Sequence, residues 1–327
     1  RVIGHSGDGE GSHAEMRLLP DEGIGLFTAL NSDGSVQGMM PAAFTLRADL
    51  FEQFMDRYFP APAAAQEPTV STAKEHARLA AGEYVWSRRQ TGDFQEALFL
   101  VTRFVGLELT IRANADGTIQ TSPLLSFDKN GRSQTWREVG PFVWRQVGGD
   151  AHLVMNVRDG DVQSVVSDGA ASVWVNLRVP FLWSAGLNVP LLLLATGALL
   201  LTVLLWPVAA IVRHRYGRTL QLAGPEGRAY RLTRIAAVVG VLYMLGWTIA
   251  LVADFASTVG SAPWIRAIQL IGLLCIGGAG LAVWNVWLTW RGGRSGWAKA
   301  WSLVLALSLL YLVWFSFAFH LISLRIG

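Results

Sequence analysis

The sequence predicts a multi-domain membrane protein: an α+β piece at the front, an all-β unit in the middle and a four-helix transmembrane bundle at the end. Three observations carry this. With 52% hydrophobic and 16% charged residues among 327 and a mean hydropathy of +0.35, the chain is more apolar than soluble domains, whose charged fraction runs near about 25%. Residues 1–185 hold 16 Lys+Arg against 22 Asp+Glu, whereas the remainder holds 11 against 2, so the two parts face different surroundings. Four stretches, 187–212, 235–253, 267–290 and 300–324, lack Asp, Glu, Lys and Arg altogether, and each approaches or exceeds the roughly 20 apolar residues that cross a hydrocarbon core.

Taken in order, the front piece covers residues 1–60. After a glycine-dense start from Gly4 to Gly11, the run 14–19, the turn Pro20-Asp21-Glu22-Gly23 and the run 24–30 read as strand, tight turn and strand. Residues 44–59 follow as an amphipathic helix, with Phe44, Ala48, Phe51, Met55 and Phe59 near helical spacing. A hairpin with one closing helix buries too little surface to stand alone, which makes it the end of something larger. The chain opens on Arg1 without an initiator Met, so an upstream piece is expected.

Residues 61–74, opening with the Pro/Ala-rich stretch that runs to Pro68, form a linker by composition. Residues 75–180 read as all-β. Leu107, Leu109 and Ile111 alternate with Glu108, Thr110 and Arg112, and Val173, Val175, Leu177 and Val179 repeat the period of two. Turn chemistry at Asn114 to Gly117, Lys129 to Gly131, Gly148 to Asp150 and Asp159 to Asp161 punctuates the segment as in a small antiparallel sandwich or barrel.

In the last part, Pro190 and Pro207 lie near the two ends of the first span, where a missing donor is best tolerated. Nine of the fourteen Trp follow residue 185 and several flank the spans, as rings at a headgroup layer do. The first inter-span loop carries Arg213, Arg215, Arg218, Arg228, Arg231 and Arg234, and the third carries Arg291, Arg294 and Lys299. Positive charge marks those loops as cytoplasmic, which puts residues 1–180 and the carboxy terminus on the extracytoplasmic side of a plasma or inner membrane.

Composition also excludes. A pI of about 9.2 comes from short basic segments beside apolar runs rather than from a phosphate-binding face, so no nucleic acid partner is expected. A single cysteine, Cys275, precludes an intrachain disulfide framework or a multi-cysteine metal site. No cofactor and no metal are expected; the loop set His5, Glu10, His13 and Glu15 reads as hairpin-surface polarity, and Asp159-Gly160-Asp161 lacks the Gly and Glu of a calcium loop at Ser164 and Ala170. His320 in the last span reads as a helix-packing group, and Gly277, Gly278 and Gly280 as close helix contact.

The run Gly4-His5-Ser6-Gly7, with Leu18 to Leu26 and Leu30-Asn31-Ser32-Asp33-Gly34 after it, resembles the carboxy-terminal end of the β-lactamase-related serine hydrolases, the penicillin-recognising fold of class C β-lactamases, DD-peptidases and esterases. His5-Ser6-Gly7 stands where that family carries a Lys-Thr-Gly or His-x-Gly triplet on the strand edging the active site. Ala81 to Tyr84 and Trp136 to Arg145 resemble the lipocalin-like β domain of members with a membrane tail. The resemblance implies an acyl-serine mechanism on an amide, ester or peptide substrate, with His5 binding a substrate carboxylate or relaying a proton, and with strand backbone at Ser6 and Gly7 beside the oxyanion. The family's nucleophile motif and second element lie upstream of the triplet. Here Ser71-Thr72-Ala73-Lys74 is the one Ser-x-x-Lys, after the triplet, and reads as a helix start with Thr72 and Glu75 as a capping box. The expectation is therefore a carboxy-terminal portion lacking its nucleophile, inactive alone, held in membrane lipid. The alternative is a non-catalytic membrane-tethered binding or sensing module.

Overall fold

The computed structural model describes residues 1–9, 11–34, 36–37, 40–60, 70–104, 106–125, 132–168, 174–255 and 262–323. They divide into two compact units: Arg1–Arg88 with Leu107–Val179, and Arg89–Gly106 with Pro180–Gly327.

The first unit opens with three antiparallel strands, β1 (Ile3–Gly9), β2 (Ser12–Leu19) and β3 (Ile24–Leu30), in that spatial order. The glycine-dense start is thus a strand, continuous with the expected hairpin. Pro20–Glu22 form a single 3₁₀ turn, closed by Gly23 at φ 67°, a left-handed conformation that glycine adopts without a Cβ penalty. Two short strands, β4 (Val36–Gln37) and β5 (Met40–Pro41), pair with each other and lead into helix α1 (Ala42–Tyr58). One face of the sheet receives α1: Arg47, on the helix, donates to the Ala14 carbonyl at 2.7 Å, and the Arg17 guanidinium lies over the Phe51 ring at 5.1 Å.

The linker stretch 61–69 lies outside the described residues. Helix α2 (Ala73–Ala80) then precedes eight strands: β6 (Gly82–Trp86), β7 (Leu109–Ala113), β8 (Ile119–Thr121), β9 (Gln134–Gly140), β10 (Val143–Gln146), β11 (His152–Arg158), β12 (Asp161–Ser167) and β13 (Asn176–Arg178). Each pairs antiparallel with its neighbour in sequence, and β13 pairs back onto β6, so the sheet closes as an up-and-down barrel of lipocalin-like architecture. Closure removes the unpaired edges that an open sheet would expose. The alternation read from the sequence places Leu109 and Ile111 inside, and the interior is filled by Ile119, Trp136, Trp144, Leu153 and Val165, none more than 2% exposed apart from Leu109 at 7%. Helix α2 contributes Ala77 and Ala80 to that core, both fully buried. Asp159 and Gly160 join β11 to β12 with φ of 54° and 84°, the left-handed pair of a two-residue hairpin turn. The Lys129 to Gly131 turn and Val173 fall outside the described residues.

The second unit holds four long helices, α4 (Ala185–Arg215), α5 (Gly224–Phe255), α6 (Ala262–Arg291) and α7 (Gly296–Ala318), preceded by α3 (Leu98–Thr102). All four are long and apolar enough to cross a membrane. Helix α4 packs on α5 and α7, α5 on α6, and α6 on α7, a ring around Leu199, Ala237, Trp247, Leu305 and Leu309. Gly278 of α6 is what lets α5 approach, since a Cβ there would stand 2.9 Å from that of Ala236; Gly277 and Gly280 meet nothing within 4 Å, so only one of the three expected contact glycines makes a contact.

Two differences from the sequence reading have clear causes. First, the described residues of 89–106 carry no strand. They form a 3₁₀ turn at Phe94–Ala97 and then α3, whose Phe94 and Phe99 lie against Trp247 and Phe319 at centroid distances of 5.3 and 6.0 Å. Their apolar run supplies packing for the helices rather than for the barrel. Second, the last helix stops at Ala318 instead of residue 324. His320 is left-handed, φ 54°, and its N–H bonds the Phe317 carbonyl at 3.3 Å, the 5→2 bond of a Schellman-type stop, while the Ile322 N–H turns back to the Ser316 carbonyl at 3.2 Å. His320 is consequently outside the helix, 3.3 Å from the Glu96 carboxylate.

Candidate functional site

Strand pairing fixes which way the triplet faces. Residues directly opposite on antiparallel strands share a face, and His5 is opposite Met16, itself opposite Phe27. Asp8 is opposite His13, which is opposite Leu30. The second row lies under α1, because Arg47 bonds Asp8. His5 therefore projects from the other face, together with Gly7, while Ser6 projects toward the α1 side. Strand β1 is an outer strand of its sheet, so alternate backbone N–H groups along it are unpaired by the sheet.

The His5 face is apolar and uncovered. Ile3, Met16, Leu18 and Phe27 are 44%, 42%, 36% and 72% exposed. Four such side chains in adjacent rows of one small sheet form a contiguous patch of a kind that marks an interaction site or cleft wall.

Beneath α1 the polar groups are organised differently. His13 is 4% exposed, with one ring nitrogen 2.9 Å from Asp8 Oδ1 and the other 2.7 Å from Asp33 Oδ1. Arg47 donates to the same Asp8 oxygen at 2.7 Å. The Asp8 hydrogen bond, followed by that to Asp33, raises the His13 pKa above its ordinary value; the bonds from His13 and the Gly11 N–H lower that of Asp33. A raised His pKa stabilises the fold below the ordinary value of about 6.5 and stops doing so as pH rises through the folded value. A lowered Asp pKa stabilises above its ordinary value and fails as pH falls through the folded one. The knot is thus tightest between those limits. In an NMR titration His13 should show a midpoint above about 6.5, and Asp33→Asn should lower it; a His13 midpoint at or below the ordinary value would contradict the doubly bonded imidazole.

The remaining sequence candidates do not converge. His5 and His13 sit on opposite faces, and Glu10 lies outside the described residues, so the loop set is no cluster; among the described residues no group of three or more His, Cys, Asp or Glu could hold a metal. Ser71 and Lys74 are exposed at the start of α2. Thr72 precedes that helix in a helical conformation and makes no side-chain capping bond, so the expected capping box does not form.

One arrangement is not apparent from sequence motifs. Glu138 is wholly buried in the barrel; its Oε1 lies 2.6 Å from His76 Nδ1 and accepts the Phe142 N–H at 2.8 Å. The His76 ring stacks on Phe142 at 3.9 Å, and Phe142 is held at φ 57°, an uncommon conformation for an aromatic residue. The carboxylate thereby ties α2 to the β9–β10 turn. Nearby, Tyr84 donates to the Ala80 carbonyl at 2.6 Å, and burial pushes its hydroxyl pKa up to about 12.

Comparison with profiles of known protein families and with curated proteins returns no match.

Proposed function

We propose that the chain is the carboxy-terminal portion of a membrane-anchored serine hydrolase of the β-lactamase-related kind, cleaving an amide or ester through an acyl-serine whose nucleophile stands outside the residues present here. What carries the reading is the placement of His5: on an outer strand, on the uncovered apolar face of a three-stranded sheet whose opposite face is closed by α1. An acyl-enzyme site needs a strand with free backbone donors, a polar side chain beside it and a neighbouring wall that excludes water, and this edge offers the first two with room for the third. Gly7, next on the same face, adds no side chain between strand and substrate. Ser6 faces away, so its part is confined to its backbone. The barrel, filled by tryptophans, is a spacer in this scheme, which weighs against a ligand-carrying sensor.

In the full-length parent, His5→Ala should lower kcat/KM by at least about tenfold, or roughly 1.4 kcal/mol of transition-state stabilisation, with unchanged melting temperature, because the side chain is exposed. Parental turnover of test esters and amides by that variant would sink the assignment.

The same proposal places residues 1–180 and the carboxy terminus outside the cytoplasm, since nine Lys/Arg occupy two of the three inter-span loops. Gly293 offers a probe position, as a Cβ there meets nothing within 4 Å. A Gly293→Cys variant in intact cells should resist an impermeant thiol reagent, and a Ser261→Cys variant, at a position outside the described residues, should react. The reverse pattern would invert the topology.

A further inference from the structure

His13, on β2 beside the β1–β2 turn, lies between two carboxylates whose oxygens also accept from other donors. Asp8 Oδ1 is 2.9 Å from His13 Nδ1 and accepts from Arg47 Nη2 at 2.7 Å. Asp33 Oδ1 is 2.7 Å from His13 Nε2 and accepts from the Gly11 N–H at 3.3 Å. Oxygens that act as acceptors leave both ring nitrogens to be donors, and only the imidazolium carries two N–H groups. The geometry thus fixes the charged form of His13. Of the other charged groups on this face, Glu15 and Arg17 pair with each other at 2.6 Å, α1 presents Arg47, and Glu10 lies outside the described residues.

The two carboxylates are not equivalent. The Asp8 side chain is 31% exposed and keeps the Arg47 guanidinium whatever the ring does. The Asp33 side chain is 56% exposed, and its further bond, to the Gly11 N–H, is the longer one. Through its carbonyl Asp33 also accepts the Ala43 N–H, at the start of α1, at 3.1 Å. Gly34, next in the chain, lies so close to α1 that an added Cβ would stand 2.9 Å from that of Ala42.

A neutral imidazole has one N–H and one lone pair. Once the ring loses a proton it can donate to one carboxylate only, and its lone pair then faces the other at hydrogen-bond distance. Arg47 holds Asp8 in place, whereas water can take up the exposed Asp33. We propose that His13 is a pH-operated latch: doubly protonated, it pins the turn at Asp33, and with it the start of α1, to the β1–β2 hairpin; singly protonated, it lets that turn go. The sense follows from linkage. The hydrogen bond to Asp8, then that to Asp33, raises the folded pKa of His13. The latch is therefore fully engaged below the ordinary value of about 6.5 and releases as pH rises through the higher folded value. It is independent of the hydrolase reading.

The test is hydrogen exchange of the full chain in detergent at about pH 6 and about pH 9, each rate referred to the intrinsic amide rate at its own pH. Protection of peptides containing Gly11 and Ala43 should fall by at least about tenfold on going to the higher pH. Peptides from residues 14–18 and 25–29, in the β2–β3 ladder, should stay within about threefold. The amide introduced by Asp33→Asn accepts from an imidazolium and donates to a neutral ring, so this variant should hold the fall at Gly11 and Ala43 to within about threefold. His13→Gln, with nothing to titrate, should show under both conditions the low protection that the parent shows at high pH. If that buried substitution misfolds by circular dichroism, the Asp33→Asn comparison decides alone. Parental protection at Gly11 and Ala43 that does not change with pH would overturn the latch, as would a full parental fall retained in Asp33→Asn. An equal fall across residues 14–18 and 25–29 would mean that the whole sheet loosens, and would overturn it too.

Discussion

Trp136→Ala should destabilise the barrel by about 3–5 kcal/mol, the range for deleting a large aromatic from a closed core. Trp136 is 1% exposed, points inward from β9 and donates its indole N–H to the Thr121 hydroxyl at 2.9 Å. Its removal leaves a void and takes from the Thr121 hydroxyl, which still donates to the Gln134 carbonyl, the indole donor it accepts from. The barrel has one interior and no second layer to collapse into it, so little of the void can close by rearrangement. Against a typical domain stability of about 5–15 kcal/mol, such a loss brings global opening within reach of hydrogen exchange. Peptides covering β8, β9 and β10 should exchange markedly faster in the full-length variant, whereas peptides from α5 and α6 should keep their parental rates. Parental protection across β8–β10 would mean that the interior is far more plastic than its packing implies.

Glu138→Ala should have a comparable effect, about 3 kcal/mol, for a different reason. Glu138 Oε1 bonds both the His76 ring at 2.6 Å and the Phe142 N–H at 2.8 Å, and leaving buried polar groups without their partner costs roughly 1–3 kcal/mol each. Because Phe142 holds a conformation that its own backbone does not favour, the β9–β10 turn should relax once the carboxylate is gone, and α2 should come away with it. Glu138→Gln keeps an acceptor for Phe142 and should lose about half as much. If thermal melts of the barrel in Glu138→Ala and Glu138→Gln coincide with the parent, the tie between α2 and the turn carries no weight.

How much of this was legible in the sequence depends on what each residue had to announce. The membrane helices were, because absence of charge over a bilayer's thickness is a local property; their true ends were not, because helical hydrogen bonding runs on through Arg213 to Arg215, Glu226 to Arg234 and back from residue 324 to Ala318, irrespective of hydropathy. Of the two alternating runs read in the barrel, Leu109 and Ile111 do face inward, but Leu177 is 40% exposed and Asn176 beside it is buried, so the second run points the other way there. Along β9 a period of two sets Glu138 on the face of Trp136. A carboxylate in such a row is ordinarily counted as outward, and only the partners supplied by α2 and the following turn make its burial tolerable. His13 has the same character: Asp8 lies five positions away and Asp33 twenty, and Arg47 is thirty-nine positions from the Asp8 it bonds, so no local pattern marks it as interior. The segment 89–106 defeats periodicity altogether, since Phe94 and Phe99 are apolar on behalf of helices more than a hundred residues later in the chain. For the candidate site, the triplet itself was readable, but its division between two faces of the sheet follows only from the register of β1 against β2.

The closure of β13 onto β6 has a mechanical consequence. The chain enters the barrel at Gly82 and leaves it at Arg178, and these ends adjoin: Tyr84 is opposite Arg178, and the Val179 N–H bonds the Glu83 carbonyl at 2.8 Å. Tension applied directly between Ala81 and Pro180 therefore loads that seam from one end, one hydrogen bond at a time, each worth only about 0.5–1.5 kcal/mol net. A seam pulled in this way unzips instead of shearing. A barrel held by packed tryptophans would thus yield at low force to a pull between its two ends.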